Sequence, residues 1–412
     1  MLSSGRSGES SPRYPGWRVV AACFFVEMFI FGFGLYGHGV YLTELQRLHG
    51  WSTALISIAS TLSFLLGNLL APFTSDALVW MGPRRLILFG ISALAVSTTL
   101  LAFAATALQL YTAYVLMSFG WAGMGTVVVA TILRSWFDRR NGLAISLALN
   151  GATCGGIIVA PALVLLVGVV GFTWAMLTMT IAMVAILVPI VIALIDLPAP
   201  VGGRPQRQTN NARVQTQSIP SSLSRWALLR SFGFWTITAP FALALAAQIG
   251  FIVHQIAFLQ PTMGRSLAGF AVAVTTTMAV IGRLCLGLFV DHLDARLATT
   301  ASLATQAGAL LVIALKPDVT SLFLACAVYG FSIGNLITLP ALIIQREFDQ
   351  ATFGMVLGLS TAIGGMVSSL GPGLVGLVRG VTGDYATALM FCLVLKLVAA
   401  AIVLLRPRRS VG

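Results

Sequence analysis

Twelve long apolar runs, each able to cross a lipid bilayer as a helix, leave this chain few ways to fold. A hydrocarbon core about 30 Å thick takes about 20 apolar residues at 1.5 Å of helical rise each. The runs fall near Trp17–Val40, Ala54–Asp76, Arg85–Ala105, Leu108–Leu133, Gly142–Val167 and Phe172–Ile195. After a polar break they resume near Phe232–Leu259, Leu267–Val290, Ala298–Leu315, Ser321–Ile344, Phe353–Val378 and Tyr385–Leu405. Lipid offers nothing to bond free backbone groups, so only helices and closed β-barrels can span it. Barrels need short alternating strands, whereas these runs are continuous and rich in Ala, Leu, Gly and Val. An all-α membrane protein is the expectation. Only 9% of residues are charged, against about 25% in a soluble domain, so most of the outer surface must face lipid.

The five cysteines (Cys23, Cys154, Cys285, Cys326 and Cys392) all lie within apolar runs, with no CxxC pair and no nearby histidine cluster. They read as small buried hydrophobes, not metal ligands. Residues 1–16, rich in Ser, Gly and Pro, are expected to form a disordered tail rather than a cleavable signal, because the next run is long enough to span. Residues 17–196 form a first half of six helices and 231–405 a second. Residues 197–230 are the linker between them, and 406–412 a second tail. The linker carries Arg204, Arg207, Arg213, Arg225 and Arg230 and no acid. It reads as a flexible connection, with binding of anionic lipid as the alternative.

Basic residues set the expected orientation. Arg84, Arg85, Arg134, Arg139, Arg140, the linker arginines, Arg296, Arg346, Arg406, Arg408 and Arg409 share one side, while Arg47, Arg265, Lys316 and Arg379 take the other. The positive-inside rule makes the crowded side cytoplasmic, with both termini inside and the protein in the cell's inner (plasma) membrane. The net charge of +12 is then topological and calls for no nucleic-acid partner.

The halves repeat. Phe137-Asp138 precedes a Gly-rich helix running to Pro161, and Phe348-Asp349 precedes another running to Pro372 at the same spacing. His38 near the end of the first run is matched by His254 near the end of the seventh, with Gly34 and Gly250 four residues earlier in each. Parallel six-helix repeats are the plan of many secondary transporters, with the substrate between halves near the midplane.

Over essentially the whole chain the sequence resembles the major facilitator superfamily. After the second run, where that superfamily carries Asp-Arg-x-Gly-Arg-Arg, Gly82, Arg84 and Arg85 match while Val79 and Trp80 replace the Asp-Arg pair. The second-half counterpart runs from Gly282 and Arg283 to Asp291 and keeps the acid. The resemblance implies conformational-switch loops at Gly82, Arg84, Arg85, Asp291, Arg139 and Arg140. Ser135 to Ala144, with Trp136-Phe137 and Arg139-Arg140, is similar to a run in the monocarboxylate porter and oxalate/formate antiporter families. So is the Gly16-Trp17 opening with Val19-Val20 behind it. Those families hold substrate carboxylate with an arginine in the eighth span, and Arg283 stands there. The polar residue usual one turn earlier is Ala279, and the usual tyrosine of the fourth span is absent, with Thr126 nearby.

Arg283 also stands out without any resemblance. A mid-span arginine costs at least about 2.5–3.5 kcal/mol on insertion scales, so it should face a cavity or an anion. Its planar fork fits a carboxylate in bidentate fashion. The plainer alternatives are an internal pair with Glu27 or snorkelling to the membrane face. Glu27 is the one acid well inside the first half. It is a candidate proton-coupling group, or a partner for Arg283 or Lys396. Tyr36, Gln248, His38 and His254 are candidate substrate-binding residues, the histidines also as proton relays or as simply bonded neighbours. Lys396 falls mid-span in the last helix, where its stem can carry the ammonium to the interface.

The leading expectation is alternating-access transport of a small organic anion, a monocarboxylate first, with a proton as coupling ion. The protein is expected to act as a monomer, without cofactor or metal. Efflux of a hydrophobic or cationic compound by proton antiport is the rival. A membrane receptor or sensor is a third reading, but the central segment is too short and polar to be its soluble domain. An ATP-driven pump lacks its phosphate-binding loop, and no nucleophile–base constellation suggests an enzyme.

Overall fold

The computed structural model describes residues 9, 11, 14–137, 139–195, 225–289, 293–315, 318–349 and 352–405. Twelve helices in it are long and apolar enough to cross a membrane. In the first half they are α1 (Gly16–Tyr36), α2 (Thr53–Met81), α3 (Pro83–Ala102), α4 (Ala107–Trp136), α5 (Asn141–Val170) and α6 (Phe172–Leu194). The second half has α7 (Phe232–Met263), α8 (Arg265–Leu286), α9 (Ala295–Ala314), α10 (Val319–Glu347), α11 (Phe353–Thr382) and α12 (Tyr385–Leu404). Residues 1–8, where disorder is expected, most of the linker and the tail 406–412 fall outside the described residues. The end of the linker, Arg225–Arg230, is helical.

The two halves are built alike. In the first, α1 packs on α5, α2 on α4, and α3 on α4 and α6. In the second, α7 packs on α11, α8 on α10, and α9 on α10 and α12. Corresponding joints even use the same backbone device. Gly50, after the His38–His49 helix that continues α1, and Gly264, after α7, close the first run of each half, and Gly171 and Gly383 end the fifth helix, all at positive φ between 64° and 81°. Only glycine adopts that region without a Cβ penalty, so each joint can turn sharply in the interface. Caps supply the other ends: Ser52 accepts from the Leu55 N–H, Asp294 from Arg296 and Leu297, and Asp384 from Thr387.

Both halves are also tethered at the face that carries the termini. Arg84, in the first turn of α3, donates through Nε to the Ile195 carbonyl just past α6. Its second-half counterpart is Arg296, in the first turn of α9. It is 2% exposed and donates to the Val403 and Leu405 carbonyls at the end of α12, to Thr236 of α7, and to Glu347 of α10 at 2.6 and 2.7 Å. The sequence alone gives Arg296 only a topological role. Folding makes it the clamp of one end of the second half.

Among the runs that extend beyond their expected ends, the first of each half meet each other. The first continues past the bilayer-length helix as His38–His49, and α7 reaches Met263. The extensions lie against each other at the face opposite the termini. There Glu44, 1% exposed, joins Arg265 of the second half at 2.7 Å and Arg47 at 2.8 Å.

The N-terminal segment, expected to be disordered through residue 16, docks before that point. The Tyr14 hydroxyl donates to the Trp136 carbonyl and its ring meets Phe137 edge-on at 5.3 Å. Trp17 lies 4.9 Å from the same Phe137, and Glu9 accepts from the backbone N–H groups of Arg139 and Arg140. The Gly16-Trp17 opening and the Trp136–Arg140 run are thus one contact. The aromatic rings bury each other, and a carboxylate satisfies donors at the start of α5.

Candidate functional site

The site is assembled where helices depart from regular geometry. A π-helical turn interrupts α1 at Gly32–Tyr36 and another interrupts α5 at Gly155–Val159. In α4 the helix breaks at Gly125, whose ψ of 174° is extended, and in α10 a 3-10 segment covers Gly334–Ile337. Such departures leave backbone groups without their usual partners and re-aim side chains, and inside membranes they belong where a cavity or neighbour compensates.

Arg283 lies on α8 beside the α10 irregularity. Its Nε–H donates to the Gly334 carbonyl at 3.4 Å. Among the described residues neither Nη makes a hydrogen bond and neither is buried. Across the interface Tyr36, carried on the π turn of α1, faces α8, the helix of Arg283, at the Gly156 junction. Thr276, two turns before Arg283 on the same helix face, completes the junction. A Cβ added to Gly156 of α5 lies 2.5 Å from the Thr276 methyl and 3.0 Å from the Tyr36 ring. Asn335 follows Gly334, with Oδ1 buried and unbonded. Gln248 of α7 likewise keeps Oε1 buried and unbonded.

A close helix contact fixes where Arg283 stands. A Cβ on Gly282 sits 1.8 Å from the Phe331 carbonyl oxygen, one on Gly330 2.2 Å from that of Thr275, and one on Gly334 2.0 Å from that of Ala279. The α8 and α10 backbones therefore touch over about two turns, at a distance that no side chain at these glycines permits. This contact brings the Gly334 carbonyl within reach of Arg283.

The bonds between halves are grouped at one end. Asn68 of α2 donates to the Gly365 carbonyl and to Ser369 of α11 at 3.2 and 2.9 Å, and the Gly373 N–H donates to Thr61 at 2.8 Å. Ser57 meets His254 at 3.2 Å, and Glu44 meets Arg265. These run from the middle of the bundle to the face opposite the termini. Among the described residues no hydrogen bond or ion pair joins the halves on the terminus side of Asn68.

The remaining candidates lie elsewhere. Glu27 is fully buried between α1 and α4. Thr126, just past the α4 break, donates to its Oε2 at 3.5 Å, and Oε1 is unbonded. It pairs with neither Arg283 nor Lys396 among the described residues. His38 lies in the first-half core, 3.2 Å from the Met117 sulfur and stacked on Phe64 at 4.9 Å. His254 is 1% exposed. Besides Ser57 it meets the Pro372 carbonyl at 3.1 Å and the Tyr385 hydroxyl at 3.4 Å. The matched spacing of the two histidines thus puts one inside a half and the other between halves.

Lys396 does not snorkel. It is fully buried in the second half, donating to the Ala244 carbonyl at 2.8 Å and to Gln306 at 2.6 Å, with the Tyr329 ring 5.8 Å away. The side chain bends inward because α12 packs on α7 and α9, leaving no path along lipid. Gly82 turns into α3 at φ 79°, with Arg84 and Arg85 following, and Val79 and Trp80 are exposed. Asp291 lies outside the described residues. No group of His, Cys, Asp or Glu among the described residues is placed to hold a metal ion. Thr276, Asn335 and Gly156 were not evident from sequence. The available signal was Gly334-Asn335 in an apolar run and the glycine pair Gly155-Gly156.

Two six-helix repeats facing each other across a membrane-embedded guanidinium make a polytopic transporter, not an enzyme. The sequence pattern of the Major Facilitator Superfamily matches residues 24–372, and the chain belongs to that superfamily. It is 26% identical over 403 residues to monocarboxylate transporter 13 of Bos taurus, covering 95% of this chain and 89% of the relative. To monocarboxylate transporter 11 of Homo sapiens it is 29% identical over 402 residues, covering 91% and 79%. Its fold matches a crystal structure of a bacterial homolog of the human lysosomal transporter Spinster, with a TM-score of 0.70, 14% identity and coverage of 95% and 97%.

Proposed function

We propose that this protein carries a small organic anion, a monocarboxylate first, across the inner membrane by alternating access, with Arg283 holding the carboxylate. The observation that carries the reading is a half-buried guanidinium between the halves with both Nη groups unbonded among the described residues. A permanent charge kept in a membrane without a counter-ion needs an anion to meet it. The names of the full-length relatives agree with that chemistry. With the basic face and both termini in the cytoplasm, the bonds that join the halves lie on the outer side, and the conformation is the inward-facing one. Transport then requires these bonds to break while the terminus sides meet. The protein works as a monomer, since each chain holds a complete site.

Glu27 is the candidate proton carrier. Its carboxyl lies between α1, which bears Tyr36, and the α4 break at Gly125, so a change in its proton changes the packing of two helices beside the site. Uptake of labelled lactate and benzoate into proteoliposomes, with and without an inward-acid pH gradient, tests the reading. Uptake of at least one acid that the gradient accelerates is expected. If no carboxylate is carried, the assignment fails. The efflux reading is ranked lower because it needs an acid open to the substrate, and Glu27 is fully buried.

The outer ion pair yields a separate prediction. Glu44→Gln leaves Arg265 without its charged partner across the halves. Truncating one side of a buried charge pair costs about 2–5 kcal/mol, and here that loss falls on the inward-facing state. Spin labels at Leu48 and Leu267, both exposed beside the pair, are expected to show a new longer-distance population. An unchanged distance distribution would show that the pair is not a latch.

A further inference from the structure

We infer that the site selects carboxylates bearing an aromatic ring, with Trp121 as the specificity-determining side chain. The inference rests on the carboxylate reading above and adds what meets the other end of the substrate. Tyr36 belongs to two environments at once. Its ring lies at the Gly156 junction with Thr276 of α8, the helix that carries Arg283, and it also packs with Trp121 and Phe31 against a buried cluster of Phe64, Ile252 and Val253 drawn from both halves. The anion clamp and an aromatic wall are therefore neighbours within one interface.

The wall is built around the indole. A Cβ on Gly34 of α1 lies 3.1 Å from the Trp121 ring, and one on Gly67 of α2 lies 3.0 Å from it. Two glycines on different helices thus form the slot that seats the ring. Phe31 is tilted against it at 4.9 Å and Phe64 meets it edge-on at 6.0 Å. Trp121 is nonetheless only half-buried, and its indole N–H makes no hydrogen bond among the described residues. A large side chain held this firmly, yet left open, is a preorganised contact surface. Aromatic rings prefer such tilted and offset partners.

Charge sharpens the choice. Of the two mid-span cations, Arg283 and Lys396, Arg283 is the one without a charge or hydrogen-bond partner at its tip among the described residues. The Lys396 ammonium is enclosed in the second half, and Arg265 is paired with Glu44. One carboxylate is matched and a second is not. A substrate with a single carboxylate and a flat apolar body satisfies both ends of the site. A short hydroxy acid leaves the wall unfilled.

The test uses the full-length protein in proteoliposomes, with benzoate, cyclohexanecarboxylate and lactate as labelled substrates. Benzoate is expected to be carried with a kcat/KM about tenfold above lactate and several-fold above cyclohexanecarboxylate, which has similar bulk and no π face. Trp121→Leu is expected to lower the benzoate-to-lactate ratio about fivefold, and Trp121→Phe to retain most of it. Lactate carried better than benzoate, or a ratio unmoved in Trp121→Leu, overturns the aromatic inference while the carboxylate reading stands. Absence of transport for all three acids overturns both.

Discussion

Replacing Arg283 with alanine is expected to lower carboxylate transport about 100-fold or more while the protein still reaches the membrane. Among the described residues the side chain makes one long bond, to the Gly334 carbonyl, so its removal costs the fold little. For the substrate the loss is large. A charge-assisted, bidentate arginine–carboxylate contact in a site shielded from water supplies about 2–4 kcal/mol, and each 1.4 kcal/mol is a factor of ten. Arg283→Lys keeps the charge but loses the planar fork, and is expected to retain a few per cent of transport. Uptake per reconstituted molecule, with folding checked by size-exclusion profile, measures both. Alanine variants that transport normally would remove the anion clamp from the mechanism.

Gly282→Val is expected to be the most disruptive single change for the fold. The Phe331 carbonyl lies 1.8 Å from where a Cβ would stand. That atom is helix backbone, which cannot rotate away as a side-chain tip can. The α8–α10 contact must open by about an ångström or more, and Gly330 and Gly334 lose their close approach with it. Overpacking a well-filled interior costs about 1–3 kcal/mol, and a backbone clash sits at or beyond the upper end. Loss of monodisperse protein, or a fall in Tm of several degrees in detergent, is the expected result. Gly308→Val on α9 is the control, since a Cβ there meets nothing within 4 Å. Equal stability of the two variants would mean that the α8–α10 contact is not tight in solution.

Much of the scaffold was legible because the bilayer imposes a simple rule. An apolar run must be helical and about as long as the membrane is thick. Residues 137–161 and 348–372 announced the repeat by spacing alone, and the joints at Gly50 and Gly264 obey it in three dimensions. The site was less legible. Arg283 could be singled out because a mid-span charge is costly. Its neighbours are ordinary residues: a threonine, an asparagine and glycines, which gain meaning from a π turn or a 3-10 break that no hydropathy pattern records.

Histidine spacing shows the limit from the other side. His38 and His254 occupy equivalent positions, yet one stacks in the first-half core and the other bonds across the interface to Ser57. Pseudo-symmetry fixes where a residue sits in its own half and says nothing about what the opposite half brings to it. Lys396 makes the same point. Its stem is long enough to reach the interface, and packing of α12 on α7 and α9 sends it inward to Gln306 instead.

The sequence by itself determined a twelve-helix membrane protein in two repeats, with one arginine that lipid cannot tolerate unmet. These are one-dimensional facts of run length, spacing and charge, and they hold whatever the helices touch. Only the tertiary structure decided that, among the described residues, the bonds between the halves lie towards the face away from the termini. It alone set Tyr36 against the helix that carries Arg283, hid Glu27 behind Thr126 and held Trp121 open between two glycines. Each of these depends on which backbones approach within a few ångströms, and that is settled by the packing of all twelve helices together.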